Sequence, residues 1–338
     1  MANTTTWREL LASILQEPGE RERIAKEIGK HPLTLTRWCT GESKPRKDHL
    51  RQLLRAVPPD QRHLFETLVR QEDAEWRDEA IADLPPFLDA DFLRGVWKMR
   101  AETPVPLLFW TLCKHVMQHA LRQLDPQQAG LYLMVVQCMP PGRDGMIHSL
   151  REVFGRGTPP WPAELDREVM FLGAESLSGY VVSRLHPETV DDLRAAPTNL
   201  PHYKVGHEVS ATAFPLLYAN RVAGCLLVSS ALPQFFSEAR LQFVQDYASL
   251  IVEAFQPHQF YSLEQIHLQH MPPFEIQRAL LMTLQDRIKG LMLSAQRAAT
   301  HPLLTYAEAE QQTWQQLEEE LLAAPVERQE SASRHERR

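Results

Sequence analysis

Two apolar runs, residues 211–218 and 221–229, face each other across Ala219 and Asn220, and this pairing narrows the fold more than any other feature of the chain. A two-residue connection is the tightest way to join antiparallel strands, and Asn tolerates the left-handed backbone that such turns require. An isolated hairpin cannot bury its apolar face, so further strands are needed. The segment GLYLMVVQC, residues 130–138, supplies a buried strand, and residues 168–172 a short one. Helical periodicity flanks them: residues 104–124 are amphipathic, SLSGYVVSR at 176–184 reads as a helix, and 236–255 as another with Ser237 as its cap. Helices around one antiparallel sheet make an α+β domain.

That domain occupies under half of 338 residues, so a multidomain chain is expected. No run approaches the roughly 18 apolar residues of a membrane helix, and no basic stretch, apolar core and small-residue cleavage site open the chain. A cytoplasmic protein with no membrane contact is the expectation. Cys39, Cys113, Cys138 and Cys225 form no CxxC pair, which argues against a zinc ribbon or a disulfide scaffold and for reduced thiols. The expected metal set is empty. Charge is uneven: residues 21–57 hold ten Lys or Arg against four acids, a local +6 on a chain of net charge -7, which leaves -13 elsewhere. A basic patch on an acidic protein suits a surface that displaces counterions from phosphate at one end only. A solvated helix surface would carry the same charges.

Within that patch short helices alternate with tight turns. Trp7, Leu10, Leu11 and Ile14 recur at helical spacing before Pro18-Gly19. Ile24, Ala25 and Ile28 mark the inward face of a second helix ended by Gly29, Leu35 and Trp38 that of a third, and Leu50, Leu53 and Leu54 that of a fourth. ERIAKEIGKHPLTLTRWCTGESKPRKDHLRQLLRAV, residues 22–57, resembles the XRE family of helix-turn-helix domains, with Ala25, Gly29, Leu35, Trp38, Gly41 and Pro45 as its landmarks. The resemblance implies that the helix beginning near His31 enters the major groove of double-stranded DNA, with Pro32, Leu33, Thr34 and Arg37 at its reading positions. Arg37 suits a bidentate contact with guanine, whereas Pro32 and Leu33 stand where family members carry polar residues and suit only thymine methyls or sugars. Lys44, Arg46 and Lys47 suit phosphate contacts. The rival use of such a unit is protein docking.

SLSGYVVSRLHPETVDDLRA and SATAFPLLYANRVAGCLLVSSALPQFFSEARLQFVQDYASLIVEAF look like a GAF domain extending over residues 103–256, with Pro215, Asn220 and Gly224 in its most specific hairpin. The resemblance implies a noncovalent small-molecule pocket between the sheet and a variable region. Its wall is expected within residues 146–210, from Met146, Phe154, Trp161, Phe171, Tyr180, His186, His202, Tyr203 and His207. The cofactor is unknown. The signature of cyclic-nucleotide GAF domains is absent, and no cysteine in this region would anchor a bilin. A haem held by one of the histidines is a minor alternative. The free methionine sulfoxide reductases share the fold, but Cys138 and Cys225 fall within apolar strands, so no enzyme is expected.

The expected organisation is a helix-turn-helix domain at 1–57, a helical linker at 58–102, the GAF domain at 103–256, C-terminal helices at 257–324 and a disordered tail at 325–338. Phe274, Leu281, Leu284, Ile288, Leu291, Ala295 and Ala298 form a stripe interrupted by Gln277. This stripe packs on the GAF domain or on the helix at 305–323, or pairs with a second subunit, and a homodimer seam to which it contributes suits a palindromic operator. A homodimeric, ligand-responsive transcription regulator is the function these features imply, with a GAF-mediated signalling or interaction protein as the alternative.

Overall fold

The computed structural model describes residues 6–17, 19–58, 61, 64–65, 68–69, 87–164, 169–194, 206–297 and 304–323. The chain divides into two compact units, Met1–Phe87 and Leu88–Arg338.

The first unit contains α1 (Trp7–Ile14), α2 (Glu20–Glu27), α3 (Pro32–Cys39) and α4 (Lys47–Ala56). Thr6 opens α1 through a capping box with Glu9. In α3 the His31 ring accepts a hydrogen bond from the Leu33 N–H at 3.3 Å, and Pro32 takes the first-turn position where no N–H is needed. The inward residues meet in one core of Trp7, Leu11, Ile14, Ile24, Leu35, Trp38 and Leu53. That core extends past Val57 to Phe65, Leu68 and Val69, so the expected linker begins as part of a packed unit. Its other end is packed too: α5 (Ala90–Glu102) lies against α6 (Val105–Leu124) in the second unit.

The second unit is built on one antiparallel sheet in the order β3-β2-β1-β6-β5-β4. Its strands are β1 (Leu131–Cys138), β2 (Leu150–Gly157), β3 (Phe171–Leu172), β4 (Glu188–Val190), β5 (Ser210–Tyr218) and β6 (Arg221–Ser230). The expected hairpin is β5–β6, with Ala219 and Asn220 both at positive φ, 48° and 60°. β2 and β4 fall within 146–210, where the sequence pattern predicts only a short strand and one helix. One face of the sheet carries α6 and α8 (Glu238–Val252); the other carries α7 (Leu177–Arg184). Gly224, at φ 150°, lets β6 pass β1, since a Cβ there would meet the Val136 carbonyl oxygen at 1.9 Å.

Beyond α8 the chain returns along the domain. Val222 and Tyr261 form a β-bridge, as do Ile147 and Ile266. The single long stripe predicted for 274–298 is two helices, α9 (Phe274–Leu281) and α10 (Leu284–Arg297), separated at Met282-Thr283. Their Leu280, Leu281 and Leu284 pack with Trp314, Leu317 and Leu321 of α11 (Tyr306–Leu322) and with Phe171 and Met271. Gln277, the residue that interrupts the stripe, is buried: its side-chain carbonyl accepts the Phe171 N–H at 2.8 Å and its amide donates to the Phe171 carbonyl at 2.9 Å. It completes the short edge strand β3 as a neighbouring strand would. The internal packing on the 305–323 helix is thus realised for the N-terminal part of the stripe, and Ala298 lies outside the described residues.

Candidate functional site

On the first unit the candidate surface is the outer face of α3. Leu35 and Trp38 point inward, so the helical period turns His31, Leu33 and Arg37 to solvent with Pro32 and Thr34 half-buried beside them. The Arg37 side chain is 66% exposed, and Glu42 Oε2 lies 4.0 Å from its Nε. An exposed pair at that distance is worth little and yields to a stronger partner. Leu33 is 62% exposed, an apolar side chain standing among polar ones. Lys44 and Arg46 are exposed in the turn before α4. Lys47 is the first residue of α4, and its side chain lies outside the described residues.

On the second unit a cavity lies between the sheet and α7. It is lined by Tyr132, Glu152, Met170, Leu172, Ser176, Leu177, Ser178, Leu193, Glu208, Ala211 and Leu227, and measures about 30 Å³. That is room for one water-sized group. A β-bulge builds it. β1 and β2 pair Val135 with Phe154 but Val136 with Glu152, so an extra residue enters β2 at Val153. Below the bulge Leu150 and Glu152 face α7; above it Gly155 and Gly157 do, opposite Met134 and Tyr132. Gly157 leaves the space that Trp161 takes, its missing Cβ lying 2.9 Å from the Trp161 Cβ. Trp161 then stacks on Tyr132 with ring centroids 5.9 Å apart.

Polar side chains distinguish part of the lining. The Tyr132 hydroxyl donates to Glu152 Oε1 at 3.3 Å, with Glu152 only 4% exposed. The Ser229 hydroxyl donates to Glu208 Oε1. Burial pushes the Tyr132 phenol well above its ordinary range, and the negative charges of Glu152 and Glu208 add to the shift. It therefore stays protonated and acts as a donor. The Ser178 hydroxyl, 1% exposed, has the Cys225 thiol beside it but lacks hydrogen-bond geometry to any partner among the described residues. Burial drives the Cys225 thiol up to about 12 and raises Cys138 further, against ordinary thiols.

Most residues predicted to form the pocket lie elsewhere. Phe154 is turned by the bulge to the opposite face, where it packs edge-on to Trp110 at 5.7 Å. Phe171 packs against Trp314 at 5.6 Å, under the C-terminal helices. Met146 is half-buried in the turn before β2, outside the lining. Tyr180 sits on the outer side of α7 with the Arg184 guanidinium 4.2 Å from its ring centre. His186 is exposed, its Nδ1 2.8 Å from the Arg184 carbonyl oxygen. His207 reaches the site indirectly, its ring edge-on to Trp161 at 6.5 Å. His202 and Tyr203 lie outside the described residues. The lining residues that the sequence reading missed are chiefly Tyr132, Glu152, Ser178 and Glu208. A Glu directly before the apolar Val153-Phe154 pair of β2 was the available signal.

Among the described residues no helix is long and apolar enough to cross a membrane, and no group of three or more His, Cys, Asp or Glu side chains is placed to hold a metal ion.

Residues 111–256 match the family model described as GAF domain. No curated protein matches the chain. Among solved structures, it is similar to the GAF domain of a phosphoenolpyruvate-protein phosphotransferase from Acinetobacter at 17% identity, covering 48% of this chain and 90% of that one with a TM-score of 0.34. It is similar to the type II free methionine-R-sulfoxide reductase of Thermoplasma acidophilum at 16% identity, covering 46% and 98% with a TM-score of 0.33. The GAF-B domain of DevS from Mycobacterium smegmatis is similar at 20% identity, covering 43% and 91% with a TM-score of 0.30. Residues 111–256, a curled antiparallel sheet with helices on both faces, are a GAF domain.

Proposed function

We propose that this chain is a transcription regulator that binds double-stranded DNA as a homodimer through an XRE-type helix-turn-helix in its first unit and adjusts that binding when its GAF domain takes up a small ligand. The observation that carries the reading is the exposed Arg37 on the outer face of α3, within a stretch of net +6. Arg37 and the neighbouring positions would read bases, and Lys44, Arg46 and Lys47 would hold phosphates. Ligand binding would favour one arrangement of the dimer, and DNA affinity would change by the same coupling energy. The chain works without catalysis in this reading, and the buried, protonated Cys138 and Cys225 support that by offering no thiolate nucleophile.

The test is DNA binding by the full chain on genomic fragments around its own gene, at two salt concentrations, with Arg37→Ala alongside. Loss of a bidentate guanine contact is worth about 1–3 kcal/mol, so sequence-specific affinity is expected to fall roughly tenfold while the salt-labile background persists. Absence of specific binding by the wild type would sink the regulator reading. The exposed Leu33 favours one second reading, in which α3 docks on a protein; binding of a partner that survives Arg37→Ala and is lost in Leu33→Gln would establish it.

A further inference from the structure

We infer that the sheet face opposite α7 carries a ligand site of its own, in which the Arg151 guanidinium receives the carboxylate of a small aromatic acid. Arg151 stacks over the Trp314 ring of α11, with 4.2 Å between the guanidinium carbon and the ring centre. Stacking covers one face of the cation and leaves the N–H donors at its rim. The side chain is half-buried, and its Nε is fully buried without a hydrogen-bond partner, so solvent reaches the terminal amino groups. No hydrogen bond or ion pair engages them among the described residues. Glu310 attracts the cation through space only, and one oxygen of that carboxylate accepts the Trp314 indole N–H at 3.4 Å. Burial lowers the Arg151 pKa to about 10, so the charge is present at neutral pH. A cation with five donors and no acceptor is costly to hold out of water, and a bound anion removes that cost.

The neighbouring residues select the kind of anion. Gln137 lies directly across from Arg151 in the β1–β2 pairing, so the two side chains stand on one face. Its half-buried amide also has no hydrogen-bond partner among the described residues. Val135, two residues before Gln137, pairs with Phe154, which places Phe154 next to Arg151 on that face at roughly 7 Å. Phe154 carries Trp110 of α6 edge-on at 5.7 Å, and Trp110 is 48% exposed. Guanidinium, amide and aromatic surface thus adjoin one another, as a carboxylate joined to a ring requires. Arg156, 4.6 Å from the Phe154 ring centre, is already engaged by Glu164 at 3.5 Å, so Arg151 is the cation on offer. One cation balances one carboxylate, whereas a phosphate dianion would need a second and would be repelled more strongly by Glu310. A planar carboxylate also meets the guanidinium edge with two parallel hydrogen bonds. A neutral ring compound would leave the cation unpaired.

The test is titration of the full chain with benzoate, with benzyl alcohol, acetate and inorganic phosphate as controls at constant ionic strength, read by calorimetry and by melting temperature. Benzoate is expected to bind and raise the melting temperature; benzyl alcohol and phosphate are not, and acetate, which lacks the ring, is expected to bind about tenfold more weakly. Arg151→Gln is expected to weaken benzoate at least about tenfold, the loss of a charge-assisted pair. Arg151→Lys keeps the charge but loses the planar fork, so its benzoate affinity is expected to fall between the two. Trp110→Ser, at an exposed position, is expected to weaken benzoate and leave acetate unchanged, and it serves where the Arg151 variants do not fold. Absence of benzoate binding by the wild type overturns the inference. So does an equal response to benzyl alcohol or phosphate, and so does benzoate binding that Arg151→Gln and Trp110→Ser both leave unchanged, which would put the acid elsewhere on the chain.

Discussion

The two units differ in the burial of their candidate chemistry, which is exposed in the first and buried in the second. In the first, the residues offered for binding, Arg37, Lys44 and Arg46, are exposed and contribute nothing to the core made by Leu35 and Trp38. In the second, Tyr132, Glu152 and Ser178 are buried in the same layer as the residues that hold the sheet to α7. Binding and stability are therefore separable in the first unit and entangled in the second. A helix surface can change its reading residues freely, whereas a cavity formed by a bulge and a glycine inherits the constraints of the sheet.

The largest effect expected to test this contrast is that of Gly224→Val. The side chain would start 1.9 Å from the Val136 carbonyl oxygen at a backbone φ of 150°. Overpacking and left-handed strain together cost roughly 3–5 kcal/mol, so the GAF unit is expected to unfold at a much lower denaturant concentration. An unchanged midpoint would mean that β1 and β6 yield easily and that the cavity is less constrained than argued. Gln277→Leu comes next. It repairs the apolar stripe by sequence criteria, yet it strands the Phe171 N–H and carbonyl, each worth about 1–3 kcal/mol when left unpaired. A loss of roughly 2–4 kcal/mol is expected in chemical denaturation; a gain would restore the continuous stripe as the better description.

Gln277 also shows where sequence reading stops. The β5–β6 hairpin, α7 and α8 were legible because each is a local pattern closed by a local signal: the Ala219-Asn220 turn, the Ser176 cap and the Ser237 cap. β2 was not, since the bulge at Val153 breaks its alternation and Glu152, Arg156 and two glycines lower its strand character. The same bulge puts Glu152 and Phe154, two residues apart, on opposite faces, so the carboxylate lines the cavity and the aromatic does not. A cap is written in three or four residues. A cavity is written in the register between strands distant in sequence.

A smaller effect follows from pH. His115 and His119 stack on Phe92, with His119 Nδ1 2.9 Å from the Tyr247 hydroxyl. Burial first, and the nearby Arg122 charge second, lower the pKa of each below 6.5. Both are then held neutral in the folded state, so their stabilising contribution is complete above about pH 6.5 and is lost as pH falls through the lower folded-state value. Partial exposure limits it to about 1 kcal/mol. Melting temperature of the full chain is expected to fall between pH 7 and pH 5 at the GAF transition, and His119→Gln to flatten that slope. A slope unchanged by the substitution would assign it to other groups.

The smallest effect is expected where the first unit is most exposed. Leu33→Gln replaces an apolar side chain that is 62% exposed and absent from the core, so stability should remain within about 0.5 kcal/mol of wild type. DNA binding then discriminates among uses of α3. If Leu33 touches a thymine methyl, affinity drops only at operators that carry thymine at that position, because only that base presents the methyl in the major groove. If it merely lies beside the sugar, binding is unchanged across sequences. A drop in stability of 2 kcal/mol or more would place Leu33 within a packed surface, and the separation of binding from stability in the first unit would no longer hold.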